Sequence, residues 1–220
     1  MSERPLPFDV RPHLQPLFYT PLLHYPWPDS EALNLALRAL VLRAEAEGRG
    51  QRRPQVGGWH SEHKLFDWPE APAQALRQRL TSVAEALTEF SATDLPGTTF
   101  SYRYESWANI LRPGEYHHLH NHPNAVWSGV YYVSVGELAE HPPASGELEL
   151  IDPRNGTNML AVPGSIFERR LRIRPLPGLL LMFPAWLRHF VHPFHGTGER
   201  ISVSFNVQHP EIRLASGARG

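Results

Sequence analysis

The chain has 220 residues, 41% of them apolar, which suits a single domain with a real hydrophobic core. Lys and Arg number 21 against 22 Asp and Glu, a formal charge of −1, so charge gives no reason to expect a nucleic-acid or membrane-surface partner. Cysteine is absent, which excludes disulfides and thiolate metal sites and leaves histidine, carboxylate or backbone oxygen to hold any metal.

The opening MSERPLPFDV lacks the basic, apolar and small-residue order of a signal segment, and no apolar run approaches membrane-spanning length. A cytoplasmic protein is therefore expected. A first helix is predicted from Asp29 or Ser30, either a suitable N-cap, with Leu33, Ala36, Leu37, Leu40 and Val41 at helical spacing and an end near Gly48. A second follows Pro72 and runs to about Phe90, with Leu76, Leu80, Val83 and Leu87 on one stripe. The polar, Gly-bearing stretch between them reads as a loop with a short strand.

From Phe100 the period changes. The β-rich runs FSYRYESWANI, VWSGVYYVSV, GELELI, GLLLMF and RISVSFNV alternate with the turn-type segments RPGEYHH, HPPASG, DPRNG and HPFHGTGE. The expectation is one domain over 1–220, mainly β, with helices and loops in 1–95 packed outside a β-sandwich or barrel formed by 96–210.

Of the 13 histidines, four crowd between Gly114 and Pro123: His117, His118, His120 and His122. Alternate residues of a strand share a face, so His118, His120 and His122 could all enter one cavity. A His-x-His pair chelates a divalent ion through two imidazoles and needs a third ligand from elsewhere. The best candidate is His189, which follows the apolar run GLLLMFPAWL. A lone histidine beside prolines is ordinarily a surface loop residue; the set as a whole points to a metal.

The run Arg200 to Asn206 alternates cleanly, with Ile201, Val203 and Phe205 on one side and Arg200, Ser202, Ser204 and Asn206 on the other. The ordinary reading makes the polar side solvated and the apolar side core. The alternative turns the polar side into a cavity, where the planar fork of Arg200 and the Ser202 hydroxyl would suit a carboxylate.

These residues together resemble the 2-oxoglutarate/Fe(II) oxygenase superfamily. Its motif is a His-x-Asp/Glu pair, a distant His, and an Arg-x-Ser about ten residues on. The matching positions are His120 and His122, His189, and Arg200 with Ser202. The segment His189-Phe190-Val191-His192-Pro193 resembles the stretch after the distal ligand in prolyl-hydroxylase-like members, and Tyr132 falls on their cosubstrate-contacting tyrosine. His120-Asn121-His122-Pro123 and Ser128-Gly129-Val130-Tyr131-Tyr132 resemble a bacterial and phage branch, as do the segments 152–154, 183–187 and 57–61. Tyr116, four residues before His120, sets the register and leaves His117 and His118 outside the ligand set.

The resemblance implies a double-stranded β-helix (jelly roll) with two flanking N-terminal helices. It implies Fe(II) on His120, His122 and His189, and 2-oxoglutarate held by Arg200, Ser202 and Tyr132. Asn109, on the strand before the cluster, could contact the cosubstrate as well, although a satisfied strand asparagine is the more ordinary reading. The reaction would be hydroxylation of an unidentified small molecule or peptide. One departure is that His122 stands where most members carry a carboxylate; Glu115 or Asp152 could supply one instead. Trp107, Trp127, Trp186 and Tyr131 are expected in the core, and Arg154 in an ion pair with Asp152. The rival reading is a cupin-type metal enzyme or binding module without 2-oxoglutarate, since Gly114 precedes His120 by cupin spacing. Against it, the Glu expected soon after the pair is replaced by Ala125, Val126 and Trp127.

Overall fold

A computed structural model of the chain describes residues 18–52, 58–91, 99–139, 141, 143–157, 170–208 and 211–213. In chain order the elements are β1 (Leu23–Pro26), α1 (Glu31–Ala46), β2 (Gly50–Arg52), β3 (Trp59–Ser61), a 3-10 turn (Leu65–Asp67) and α2 (Ala71–Ser91). Then come β4 (Thr99–Ser101), β5 (Tyr104–Leu111), β6 (His117–His120), β7 (Ala125–Leu138), β8 (Leu148–Ile151), β9 (Arg170–Ile173), β10 (Leu179–Pro184), β11 (His189–Val191), β12 (Gly196–Gln208) and β13 (Glu211–Arg213).

Both predicted helices form within a residue or two of their expected limits. Ser30 occupies the N-cap position of α1, but its hydroxyl meets the Asn34 amide at 3.5 Å rather than a backbone N–H. Asn34 in turn accepts a 2.8 Å hydrogen bond from the Tyr131 hydroxyl, which ties α1 to β7. No helix among the described residues is long and apolar enough to cross a membrane.

The strands form a seven-stranded sheet in the order β1-β10-β7-β12-β5-β3-β2 and a four-stranded sheet in the order β6-β11-β8-β9. Their pairings are antiparallel throughout. β4 pairs with β13 separately. The result is the expected mainly-β jelly roll with two flanking helices. β1, β2 and β3, which come from the segment read as helical flank and loop, add three strands to the large sheet.

Two apolar clusters divide the interior. The larger lies between the helices and the outer face of the large sheet, where Leu37, Leu40, Leu76 and Leu80 meet Ile201, Val203 and Phe205. The smaller lies between the two sheets and includes Leu148, Leu150, Leu181, Phe183 and Val191. β10 is apolar at every position because it contributes to both, Leu180 and Met182 outward and Leu179, Leu181 and Phe183 inward. Each such side chain fully removed from water contributes roughly 1.5–3 kcal/mol.

β12 settles the question its alternation left open. Its apolar side is buried under the helices, and its polar side points into the space between the sheets. The same holds for β5, which sends Ala108 and Ile110 toward the helices and Trp107 and Asn109 inward.

A three-histidine centre in the jelly-roll cavity

The inter-sheet space opens into a cavity of about 330 Å³. His120 closes β6 and His189 opens β11, and the two are direct partners across that strand pair. His122 follows two residues after β6, fixed by its backbone N–H donating to the Ala185 carbonyl at 2.9 Å. The ring centroids are 4.4 Å apart for His120 and His189, 5.0 Å for His120 and His122, and 5.2 Å for His122 and His189. One ligand nitrogen from each lies within 4.8 Å of the others, so all three converge on a single point.

The chemistry of this set suits a divalent metal. His120 Nδ1 faces the His118 carbonyl at 2.7 Å and His189 Nδ1 faces the Leu187 carbonyl at 2.8 Å, which leaves each Nε2 free as a donor of its lone pair. Burial, with His120 and His63 nearby, pushes His122 down to about 4. Burial, with His120 nearby and against the Leu187 carbonyl, pushes His189 down to about 3, and burial also lowers His120. All three are therefore neutral imidazoles at neutral pH, the charge state a metal requires.

Arg200, only 1% exposed, also lines the cavity. Its Nε donates to the Gly146 carbonyl at 3.0 Å and one terminal nitrogen to Ser202 Oγ at 3.4 Å, but it makes no ion pair with any described residue. The buried hydroxyl of Tyr132 lies beside it without completing a hydrogen bond. Burial raises the Tyr132 hydroxyl, opposed by Arg200, and burial lowers the guanidinium. A cation this far from water ordinarily has a partner. Among the described residues no carboxylate pairs with this guanidinium, and the Ser202 and Tyr132 hydroxyls stand beside it.

The remaining expected residues fall as follows. Asn109 is buried in the cavity wall, and its amide donates to Ser204 Oγ at 3.1 Å. His118 is exposed and contributes only its carbonyl. His117, expected outside the ligand set, lines the cavity near Arg200, and burial followed by that guanidinium pushes it well below the usual imidazole range. Glu115 does not supply a ligand: it receives Arg52 at 2.8 Å and the Arg112 backbone N–H at 2.7 Å. Asp152 is held by Arg154 at 2.6 Å in the expected ion pair. Trp127 and Tyr131 are core, whereas Trp107 is buried but lines the cavity. Trp186 departs from expectation and is 50% exposed, because the turn after β10 carries it outward.

Sequence reasoning gave no role to His60 and His63. Both stack near Trp107, with centroids at 5.5 and 4.8 Å, and Trp107 lies 5.9 Å from His122. Gly57 of the motif around them lies outside the described residues. Gly58 has φ +77°, and a Cβ there would strike the Ile110 carbonyl, which accounts for the glycine where the chain enters β3.

Residues 105–206 match the model of the family described as "Putative 2OG-Fe(II) oxygenase". This stretch is similar to that family. It spans every residue of the three-histidine centre and the Arg200 pocket, and the helices and strands outside it complete the large sheet and its apolar layer.

Solved structures share the fold of this chain. A Pseudomonas putida prolyl-4-hydroxylase is 19% identical with a TM-score of 0.59, covering 86% of this chain and 92% of its own. A Trichoplax adhaerens prolyl hydroxylase, in complex with a hypoxia inducible factor peptide fragment, is 13% identical with a TM-score of 0.60, covering 85% and 83%. The epimerase SnoN, in complex with Fe3+, alpha ketoglutarate and nogalamycin RO, is 13% identical with a TM-score of 0.60, covering 90% and 87%. No curated protein matches the chain.

Proposed function

We propose that the chain is an Fe(II)- and 2-oxoglutarate-dependent oxygenase that hydroxylates a small molecule or a peptide. His120, His122 and His189 would hold the iron, and Arg200, Ser202, Tyr132 and Asn109 would hold the cosubstrate. Iron, 2-oxoglutarate and oxygen together supply the oxidising power to replace C–H by C–OH; the protein supplies geometry and a dry site.

The observation that carries this reading is the buried, unpaired guanidinium of Arg200 in the same cavity as three neutral imidazoles. A dicarboxylate chelating the metal at one end would bring its other carboxylate to Arg200, replacing the missing counter-charge with charge-assisted hydrogen bonds. The Tyr132 hydroxyl, buried without a partner, would donate to the same carboxylate. A cupin-type site would need no such anion pocket, so Arg200 disfavours the rival. The two prolyl hydroxylases and SnoN span peptide and small-molecule ligands, and either class suits the wall formed by Trp107, His60, His63 and Glu105.

The test is an anaerobic one. Purified protein loaded with Fe(II) should develop a new visible charge-transfer band on addition of 2-oxoglutarate, saturating at one equivalent per chain. Iron binding with no optical or calorimetric response to 2-oxoglutarate would return the cupin reading to first place.

A further inference from the structure

Two of the three imidazoles have their tautomer set by the main chain. A backbone carbonyl can only accept, so the proton of His120 and of His189 sits on Nδ1, and both Nε2 atoms are free to ligate. His122 differs: its Nδ1 lies 3.3 Å from the side-chain amide nitrogen of Asn206. An amide nitrogen can only donate, so this arrangement gives His122 an unprotonated Nδ1 and a protonated Nε2, the form that cannot ligate through Nε2. The other half of that amide is equally telling. Asn206 Oδ1 is buried and has no hydrogen-bond partner.

We infer that Asn206 is the positioning residue that sets the tautomer of His122, turning its amide so that Oδ1 accepts from Nδ1–H when metal is bound. This assignment rests on the iron reading above. A half-turn of the amide exchanges acceptor for donor in the same space, pairs the orphaned oxygen and frees His122 Nε2. The backbone of Asn206, near the C-terminal end of β12, is held between Ser128 of β7 and Glu105 of β5, so the amide can turn while its anchor stays fixed. Two ligands are thus preset by the chain, and the third is completed by a side chain with two states. A carboxylate at position 122 would have no tautomer to set; an imidazole there needs a partner able to accept.

The experiment compares wild type with Asn206→Asp and Asn206→Leu, each metal-free sample first shown to be folded by circular dichroism. Zn(II) and Fe(II) binding isotherms are measured anaerobically, and long-range 15N–1H spectra of the Zn(II)-loaded proteins report which nitrogen of His122 carries the proton. Aspartate can only accept and should match or exceed wild-type affinity. Leucine cannot accept and should weaken binding by about 10–100-fold. The wild-type Zn(II) form should show the His122 proton on Nδ1. Wild-type affinity in Asn206→Leu, or the proton on Nε2 in the Zn(II) form, would overturn the assignment while leaving the iron site intact. Absence of stoichiometric metal binding in wild type would overturn the iron reading and this assignment with it.

Discussion

The guanidinium carbon of Arg200 lies 5.0 Å from the ring centre of Tyr132, and both side chains are at most 1% exposed. Burying this guanidinium is costly, because the Gly146 and Ser202 hydrogen bonds and the Tyr132 ring replace only part of its hydration. Arg200→Met should therefore leave the metal-free protein at least as thermostable as wild type, by differential scanning calorimetry. Affinity for 2-oxoglutarate should fall at least about tenfold, since a charge-assisted hydrogen bond contributes roughly 1.5–3 kcal/mol. Ser202→Ala, which loses only a 3.4 Å contact, should be milder. A destabilised variant with unchanged cosubstrate affinity would make Arg200 a structural residue.

The histidines of the 117–122 stretch, together with His189, should separate into ligands and non-ligands. His120→Ala and His189→Ala should each lose stoichiometric Fe(II), whereas His118→Ala, exposed and acting through its carbonyl, should retain it. His117→Leu, in the cavity wall but outside the proposed ligand set, should also retain iron. Iron loss in His118→Ala with retention in His120→Ala would mean that the ligand register is shifted.

Acid should act on the fold through the same imidazoles. In the unfolded chain they take up protons near pH 6.5, whereas in the folded, metal-free protein His122 does so at about 4 and His189 at about 3. Their lowered values mean stability that is present above pH 6.5 and is lost as pH falls from there toward 4. Melting temperature of metal-free protein should be flat between pH 8 and 7 and decline below about 6.5. His189→Phe should decline less steeply, and an identical slope would show that the imidazole is not buried neutral.

Gly129 pairs with Phe205 across β7 and β12, and a Cβ on Gly129 would collide with that phenyl ring and come within 3.1 Å of Met182 Cγ. Gly129→Ala should therefore destabilise the protein by about 1–3 kcal/mol, read from chemical denaturation. Gly129→Ala with Phe205→Leu should recover part of the loss. Additive costs would show that the clash is not the cause.

Much of this was legible from the chain because period and chemistry agree. Leu76, Leu80, Val83 and Leu87 can form one stripe only on a helix, and the alternation from Arg200 to Asn206 only a strand. Which side of that strand faces inward was not legible, since alternation is the same whichever face is buried; the helices decided it by covering Ile201, Val203 and Phe205. The strand through His118 and His120 was anticipated, but not that β6 ends at His120 with His118 exposed, which its pairing with β11 decides. Trp186 was misread because its ring follows an apolar run, and only the turn after Pro184 reveals that it points to solvent. Glu115 and Asp152 were open as ligands until Arg52, Arg112 and Arg154 were found holding them.

The larger apolar cluster lies on the helix side of the large sheet, whereas the cavity uses the opposite face of the same strands. Alternate residues of β5, β7 and β12 therefore answer to different demands. Odd positions of β12 carry cohesion and even positions line the cavity, so a change at Ser204 leaves Val203 and Phe205 in place. Such a scaffold can be retuned toward a new substrate by single substitutions on the inward register, with mutational tolerance supplied by the layer behind it.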